Sequence, residues 1–280
     1  MAIHRFRAVL EPPSYERELA IAQDVALAAA DVLRRHRAGR LEIDYKAGDE
    51  LVTAAELEAD AVIRAGLARA FPDDAICTEE TGDSPERLLR KRVWIVDPLD
   101  STGNYIKRGD EFAVSIGLAV DGVAVLGVVC NPARGELFAG CEGRGATLNG
   151  APVRASDVAG LERAQLTVSR KELRNGLAAV ASSLSLRPVA SMAYRLARVA
   201  AGIDDGSFCA TRRKTWGICA GVALVSAAGG RASLLDGGEI RFDRRELRQP
   251  QPLVAAGRSL HPLLLATVAG FAGSLADKLA

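Results

Sequence analysis

Two aspartates, Asp97 and Asp100, flank a Pro-Leu pair after an apolar, β-branched run that predicts a short buried strand over residues 93–96. Proline restricts the backbone φ angle, so the two carboxylates form a partly preorganised pair of hard oxygen ligands. Ser101 and Thr102 follow directly, where the backbone N–H groups of a helix start can bind an anion. Metal ligands beside an anion site indicate metal-assisted phosphoryl chemistry. The same residues are also typical of a capped loop, so this stretch alone leaves both interpretations open.

Further carboxylates precede this stretch in the chain. Glu79 and Glu80 end a predicted strand over residues 76–80, from which they can supply a third oxygen ligand to a cation. Glu56 stands three residues after Thr53 at the start of a predicted helix, a spacing that is typical of a capping box. Taken singly, Glu56 is better explained by helix capping, and a Glu-Glu pair such as Glu79-Glu80 is usually solvent-exposed surface.

The elements that must position these residues are a mixture of helices and strands without an internal repeat. The Asp121-Gly122 pair predicts a hairpin within an antiparallel meander, and a further turn is expected over Gly143–Gly150. A polar loop is expected over residues 46–50. The patterns predict helices over 15–37, 53–70, 192–201, 216–228 and 261–279, and further strands over 43–46, 112–120, 123–130, 136–139, 165–169 and 254–257.

Composition limits the class of protein. The 280 residues are 49% hydrophobic and carry a formal net charge of +1, which gives no field that would attract a nucleic acid polymer or a membrane. Five cysteines without a Cys-x-x-Cys pair predict reduced thiols, and three separated histidines argue against a zinc site and histidine-based catalysis. No signal peptide and no membrane-spanning apolar run is visible, so we expect a cytoplasmic protein.

Four stretches of the chain resemble motifs of the inositol monophosphatase family, the magnesium-dependent phosphomonoesterases related to fructose-1,6-bisphosphatase. They follow one another along the chain in the same order as in the family. The stretch Asp97-Pro98-Leu99-Asp100-Ser101-Thr102 is similar to the family signature Asp-Pro-Ile/Leu-Asp-Gly/Ser-Thr. Residues 51–56, 78–80 and 216–230 are similar to its Val-Thr-x-x-Asp, Gly/Ser-Glu-Glu and Trp-Asp-x-Ala-Ala-Gly…Glu-Ala-Gly-Gly motifs.

The resemblance implies an α/β fold, a layered αβαβα sandwich of the sugar phosphatase or inositol monophosphatase type. Residues 1–155 would form an N-terminal α+β half that carries the metal-binding motifs, and residues 156–280 a C-terminal α/β half that closes the site. The resemblance also implies a homodimer and a phosphoric monoester hydrolase. The Mg²⁺ ligands that it implies are Glu79, Asp97, Asp100 and the backbone carbonyl of Leu99.

The resemblance assigns further roles around that metal. Ser101 and Thr102 would hold the phosphate, and Thr102 would also help to orient the attacking water. Glu79, Glu56 and Thr102 are the implied catalytic residues. Mg²⁺ suits such a site because it takes oxygen ligands and bridges phosphate oxygens.

Two positions depart from the family pattern. Gly217 stands where the family has an aspartate that ligates a second metal, so that metal loses one anionic oxygen. Glu56 stands where the family has an aspartate, which keeps the charge but moves it by one methylene. We therefore expect weak hydrolysis or an altered metal dependence. Asp204 or Asp205 can reach the site as a substitute for the missing ligand, or be ordinary turn residues.

One stretch bears on the substrate. Residues 105–112 resemble the Phe-Ile-Lys-Arg-x-x-Glu-Phe stretch of bacterial 3′-phosphoadenosine-5′-phosphate phosphatases, which indicates a 3′(2′),5′-bisphosphate nucleotide. A second phosphate needs further cations, which Lys107, Arg108 and the basic residues 212–214, with Arg213 at their centre, can supply. Inositol-1-phosphate, histidinol phosphate and other sugar or polyol phosphates stay open, because substrate loops vary within a fold. A catalytically weakened relative that only binds a phosphorylated ligand is the alternative of another class.

Overall fold

The computed structural model describes residues 14–39, 41–45, 51–81 and 85–279, without the side chains of Tyr45 and of residues 271–279. The predicted polar loop over residues 46–50 lies outside the described residues. Helices α1 to α8 are Glu16–Ala38, Ala54–Ala70, Thr102–Ile106, Arg170–Glu172, Ala178–Val180, Met192–Ala200, Cys219–Ala227 and His261–Leu279. A 3₁₀ helix covers Pro85–Leu89, and a π-helical segment, Leu173–Leu177, joins α4 to α5.

The strands form two large sheets and one small hairpin. Strands β1 to β14 are Ile43–Tyr45, Leu51–Thr53, Ala75–Thr78, Arg92–Asp100, Ala113–Val120, Val123–Asn131, Glu136–Cys141, Gly145–Leu148, Ala151–Val153, Gln165–Val168, Ser185–Pro188, Gly206–Phe208, Gly230–Leu234 and Leu253–Gly257.

The first large sheet has seven strands in the sequential order β3 to β9. Strand β3 is parallel to β4, and the strands from β4 to β9 pair antiparallel, which confirms the predicted meander. Asp121 and Gly122 have φ angles of 47° and 79°, as a tight two-residue hairpin turn requires. The prediction of one turn over Gly143–Gly150 is wrong, because Gly145–Leu148 pairs with β7 as strand β8.

The second large sheet has five strands in the order β11-β10-β12-β14-β13. Sequence patterns predicted β10 and β14 but missed the other three. Strand β12 has only three residues, Gly206–Phe208, and β11 ends at Pro188, so neither shows a sustained alternation of apolar and polar residues.

The sheets and helices form five layers. In β6, Val128 belongs to the apolar cluster with α1 and α2, and its neighbour Val129 belongs to the cluster with α6 and α7. In β14, Ala255 shares that central cluster, and Val254 shares a third cluster with α8. Because neighbouring strand residues face opposite sides of a sheet, the order is helix, sheet, helix, sheet, helix. This is the predicted αβαβα sandwich; the division at residues 155 and 156 stays a prediction.

Helix α7 lies unusually close to the first sheet. Gly117 of β5 and Gly127 of β6 are paired across the two strands beneath it. A Cβ on Gly127 would lie 2.0 Å from the carbonyl oxygen of Ala220, and a Cβ on Gly117 would lie 2.6 Å from Cys219 Sγ. The helix therefore rests directly on the sheet backbone, and this contact fixes the segment that leads into it.

The predicted cysteine chemistry agrees with the structure. All five cysteines lie among the described residues, and each of them is buried with a free thiol. His36 pairs with Glu58, and His261 contacts Ser233 inside the second half of the chain. His4 lies outside the described residues. None of the helices in the described ranges has the length and apolarity that a membrane crossing needs.

Candidate active site

The central Asp-Pro-Leu-Asp motif continues strand β4, although the sequence predicted that the strand stops before Asp97. Asp97 still pairs with Ser115 of β5, and the register then becomes irregular before Asp100 pairs with Ala113. Pro98 lies inside this irregularity, where the missing N–H of proline costs no ladder hydrogen bond. Such bulges redirect side chains, and here the irregularity brings both aspartates to one cavity.

Glu79 lies beside Asp97 because their strands run parallel in matched register. Thr78 at the end of β3 pairs with Val96, so the residues that follow each of them are neighbours. Asp97 is only 3% exposed, and its Oδ1 accepts a hydrogen bond from the Leu99 N–H at 3.1 Å. Burial, and then the charge of Glu79, raise the pKa of Asp97 well above its usual range. Concentrated buried negative charge of this kind fits a bound cation.

Asp100 links strand β4 to the start of helix α6. Its Oδ2 accepts hydrogen bonds from Ser191 Oγ at 2.6 Å and from the Ala193 N–H at 2.7 Å. Ser191 also caps α6 by accepting a hydrogen bond from the Tyr194 N–H. Burial raises the pKa of Asp100, although the Ser191 hydrogen bond opposes the shift. The second half of the chain thus contributes directly to the position of a predicted metal ligand.

Glu56 both caps helix α2 and reaches the central motif. Its backbone N–H donates to Thr53 Oγ1 at 3.2 Å, and its Oε2 accepts from the Thr53 N–H at 3.4 Å, which confirms the capping box. Its Oε1 accepts a hydrogen bond from Thr102 Oγ1 at 3.1 Å. The sequence left capping and a role at the site as alternatives, and the longer glutamate side chain serves both.

Ser101 has an uncommon backbone conformation. Its φ of 80° and ψ of 53° place it in the left-handed region, and its side chain does not cap the short helix α3. The alternative interpretation of this stretch as an ordinary capped loop therefore does not hold for the Ser101 side chain. For a residue with a Cβ this conformation costs about 1–2 kcal/mol. Strain of this size at a site commonly accompanies function.

Three glutamates form an acidic cluster next to the central motif. Carboxylate oxygens of Glu56, Glu79 and Glu80 lie within 4.8 Å of one another. The sequence offered Glu80 together with Glu79 as a source of a third oxygen ligand, but the family resemblance implied only Glu79. The donors around the site are carboxylates, hydroxyls and a backbone carbonyl, a set of hard oxygens that fits Mg²⁺ better than a softer metal.

One cavity of about 320 Å³ brings most of the predicted residues together. Arg213 donates to Glu172 Oε1 at 2.6 Å, and Arg212 lies 2.5 Å from Glu246, so each guanidinium is held by a carboxylate outside the acidic cluster. Glu172 was missed from sequence, because nothing local connects it to a residue 41 positions later. The cavity is lined by Glu79, Asp97, Leu99, Asp100, Ser101, Thr102, Met192, Thr211, Arg212, Arg213, Lys214, Trp216, Gly217, Ile218 and Arg248.

Lys107 lies in a second hollow rather than in the main cavity. This hollow, of about 360 Å³, shares Ser101 with the main cavity and also contains Arg170 and Arg174. Arg108 turns away from both, because its guanidinium donates to backbone carbonyls at the end of α1, among them that of Gly39 at 2.9 Å. Arg108 is therefore not placed to contact a ligand in either cavity.

Gly217 leaves an open space next to Asp97. A Cβ at this position would lie 3.8 Å from Asp97 Oδ2, so an aspartate there would face the site. The idea that Asp204 or Asp205 replaces it is wrong. Asp204 is buried against Arg198 at 2.6 Å, and Asp205 accepts a hydrogen bond from the Gln165 N–H at 2.7 Å. The predicted helix also begins later than Trp216, at Cys219, so Gly217 lies in a turn.

The sequence pattern that describes the inositol monophosphatase family matches residues 14–270 of this chain. The chain belongs to the inositol monophosphatase family. The Nus factor SuhB of Escherichia coli is 36% identical over 207 residues, which cover 71% of this chain and 77% of SuhB. The inositol-1-monophosphatase of Mesorhizobium japonicum is 36% identical over 215 residues, covering 72% and 79%. The solved inositol monophosphatase of Anabaena superposes with a TM-score of 0.76 at 30% identity, covering 91% and 96%.

Membership of the inositol monophosphatase family confirms two predictions. The fold is the layered α/β sandwich of the solved family members. The chain falls among phosphatases, which are phosphoric monoester hydrolases acting on small phosphorylated molecules. The family is metal-dependent, and the acidic cluster is suited to such a metal.

Proposed function

We propose that the protein is a Mg²⁺-dependent phosphomonoesterase for a small phosphorylated metabolite. Glu79, Asp97, Asp100 and the carbonyl of Leu99 would hold the ion. When bound, Mg²⁺ supplies positive charge that neutralises the phosphoryl oxygens. The buried Asp97, with its raised pKa among other carboxylates, supports this assignment, because the site is electrostatically incomplete without a cation.

The hydrogen bond from Thr102 to Glu56 is the observation that carries the proposal. With its proton directed to Glu56 Oε1, the Thr102 oxygen presents lone pairs that can accept a hydrogen bond from a water. That water is thereby oriented, and Glu56 is the base that receives a proton through the hydroxyl. A hydroxyl and a carboxylate paired in this way, next to a cation site, suit attack on a phosphate ester.

The phosphate would be held by Ser101 and Thr102 together with Arg213. The Arg213 guanidinium lines the main cavity while Glu172 fixes its position at 2.6 Å. A fixed guanidinium presents paired N–H donors that match phosphate oxygens. Glu172→Gln should therefore weaken phosphate binding, which a titration with inorganic phosphate would measure.

We further propose a 3′(2′),5′-bisphosphate nucleotide as the substrate. Lys107 in the second hollow and Arg213 in the main cavity support it, because the two cavities share Ser101 in their linings and each offers a cation to an anionic group. Inositol-1-phosphate or another sugar or polyol phosphate is the alternative, which the names of curated relatives favour.

Phosphate release from a substrate panel tests this choice. Adenosine 3′,5′-bisphosphate should have a higher kcat/KM than inositol-1-phosphate, fructose-1,6-bisphosphate and histidinol phosphate. Lys107→Met should raise KM for the bisphosphate about tenfold and leave the monophosphates unchanged. Lys171→Met, an exposed lysine outside both cavities, is the matched control. A preference for a singly phosphorylated polyol would overturn the substrate assignment.

Gly217 favours a second candidate, a relative that binds a phosphorylated ligand with little turnover. Its test is thermal stabilisation by Mg²⁺ plus ligand, since a ligand that binds only the folded state raises the unfolding temperature. Stabilisation without phosphate release would support this candidate, and a gain in rate in Gly217→Asp would identify the missing carboxylate as the cause.

The cytoplasmic location and the homodimer also stay predictions. Light scattering in solution would test the homodimer.

A further inference from the structure

Lys214 brings a positive charge into the acidic cluster. Its Nζ lies 3.9 Å from Glu79 Oε1, and the lysine lines the same cavity as Asp97 and Gly217. The ammonium group also lies 5.1 Å from the centre of the Trp216 ring. A carboxylate and an aromatic face together hold a cation on one side of the cavity.

The backbone around Lys214 is fixed as well. Lys214 forms a β-bridge with Arg248, and the next residue, Thr215, donates its N–H to the Leu247 carbonyl at 2.8 Å. A Cβ on Gly217 would lie 4.0 Å from the Lys214 carbonyl oxygen, so the lysine and the glycine share one tight turn. The turn therefore lacks a carboxylate and carries an ammonium group instead.

The neighbouring cations behave differently. Arg212 and Arg213 pair with Glu246 and Glu172, which lie outside the acidic cluster. Lys214 instead pairs with Glu79, a predicted ligand of the metal. Its charge thus adds to the charge of any ion that the cluster binds.

From this geometry we propose that the Lys214 ammonium group is a permanent positive charge at the phosphate site. It takes the place of one divalent ion there. The inference rests on the proposed function and deepens it. The ammonium group contacts the phosphoryl oxygens as a point charge, as lysines do in other phosphate sites. A second divalent ion is disfavoured, because Gly217 offers no ligand atom and Lys214 repels it.

The test counts ions and measures phosphate affinity, so it does not depend on turnover. Mn²⁺, followed by electron paramagnetic resonance, replaces Mg²⁺ and is titrated into the purified full chain with inorganic phosphate present. We expect one tightly bound Mn²⁺ per chain. At saturating Mn²⁺, Lys214→Met should bind inorganic phosphate about tenfold more weakly, and Lys214→Arg should retain most of the affinity. Lys171→Met is again the control and should bind as the wild type does.

The outcomes separate this inference from the function on which it rests. Two or more tightly bound Mn²⁺ per wild-type chain, or unchanged phosphate affinity in Lys214→Met, would overturn the role of Lys214 and leave the phosphatase assignment intact. Absence of any Mn²⁺ binding would overturn the proposed function and the inference with it. Methionine keeps the aliphatic length of the half-buried lysine, and the arginine variant tests whether charge alone restores binding.

Discussion

Gly127 allows helix α7 to rest on the first sheet, and Gly127→Ala should therefore be strongly destabilising. A Cβ there would lie 2.0 Å from the Ala220 carbonyl oxygen. Ordinary contacts between heavy atoms are about 3.5 Å, so the helix must move by about 1 Å or more. Overpacking costs about 1–3 kcal/mol, and we expect about 3 kcal/mol because the obstacle is helix backbone. For a chain of this size that corresponds to a fall in Tm of about 6–12 °C.

Urea unfolding in the presence of a chelator, with differential scanning calorimetry, measures this change. Gly270→Ala is the matched control, because Gly270 lies in helix α8 and a Cβ there would meet nothing within 4 Å. The control should be neutral or stabilise by up to about 1 kcal/mol. If the unfolding free energy of Gly127→Ala lies within about 0.5 kcal/mol of the wild-type value, the described contact between α7 and the sheet is incorrect.

Three further perturbations test the site and the core. Ser101→Gly should stabilise the fold by about 1 kcal/mol in urea unfolding, because glycine adopts the left-handed conformation without strain. Ser101→Ala keeps the Cβ and should not stabilise it, so equal effects of the two substitutions would contradict this reasoning. Asp97→Asn should raise Tm in the presence of a chelator by removing a buried repelling charge, and should abolish the rise in Tm on adding Mg²⁺; a lower Tm in chelator would argue against the buried repulsion. Burial lowers the pKa of His261 to about 4. As the pH falls below about 6.5, the unfolded chain therefore binds a proton at this histidine, whereas the folded chain stays neutral there. Between pH 6 and 4.5 the unfolding free energy of the wild type should thus fall more steeply than that of His261→Gln, by up to about 1.4 kcal/mol per pH unit. Parallel pH profiles of the two proteins would refute this linkage.

The parts of the site that sequence predicted are those that local spacing encodes. The Asp97–Thr102 stretch contains most of the proposed ligands within six residues, and the Thr53–Glu56 spacing produces the capping box that the structure shows. Glu79 could be placed next to Asp97 because both follow predicted strands, and parallel strands that end in register bring the following residues together.

Long-range contacts account for most of what the sequence did not reveal. Asp100 is held by Ser191, which is 91 positions away, and Arg213 is held by Glu172. No periodicity connects such pairs, since they meet only when the two sheets pack. The hydroxyl of Ser101 suggested an ordinary helix cap, and tertiary constraints placed the residue at a φ of 80° instead. Strands β11, β12 and β13 were missed because they contain no β-branched residue, unlike the equally short β10 and β14.

The central claim is that carboxylates from adjacent strand ends hold a divalent cation that binds a phosphoryl group. Anomalous diffraction from crystals soaked with Mn²⁺ and inorganic phosphate tests it most directly. The account predicts an anomalous peak about 2.2 Å from oxygens of Glu79, Asp97 and Asp100, with phosphate against the peak and within reach of Thr102. Phosphate bound elsewhere, or side chains of Glu79 and Asp97 without a shared ion at saturating Mn²⁺, would contradict it.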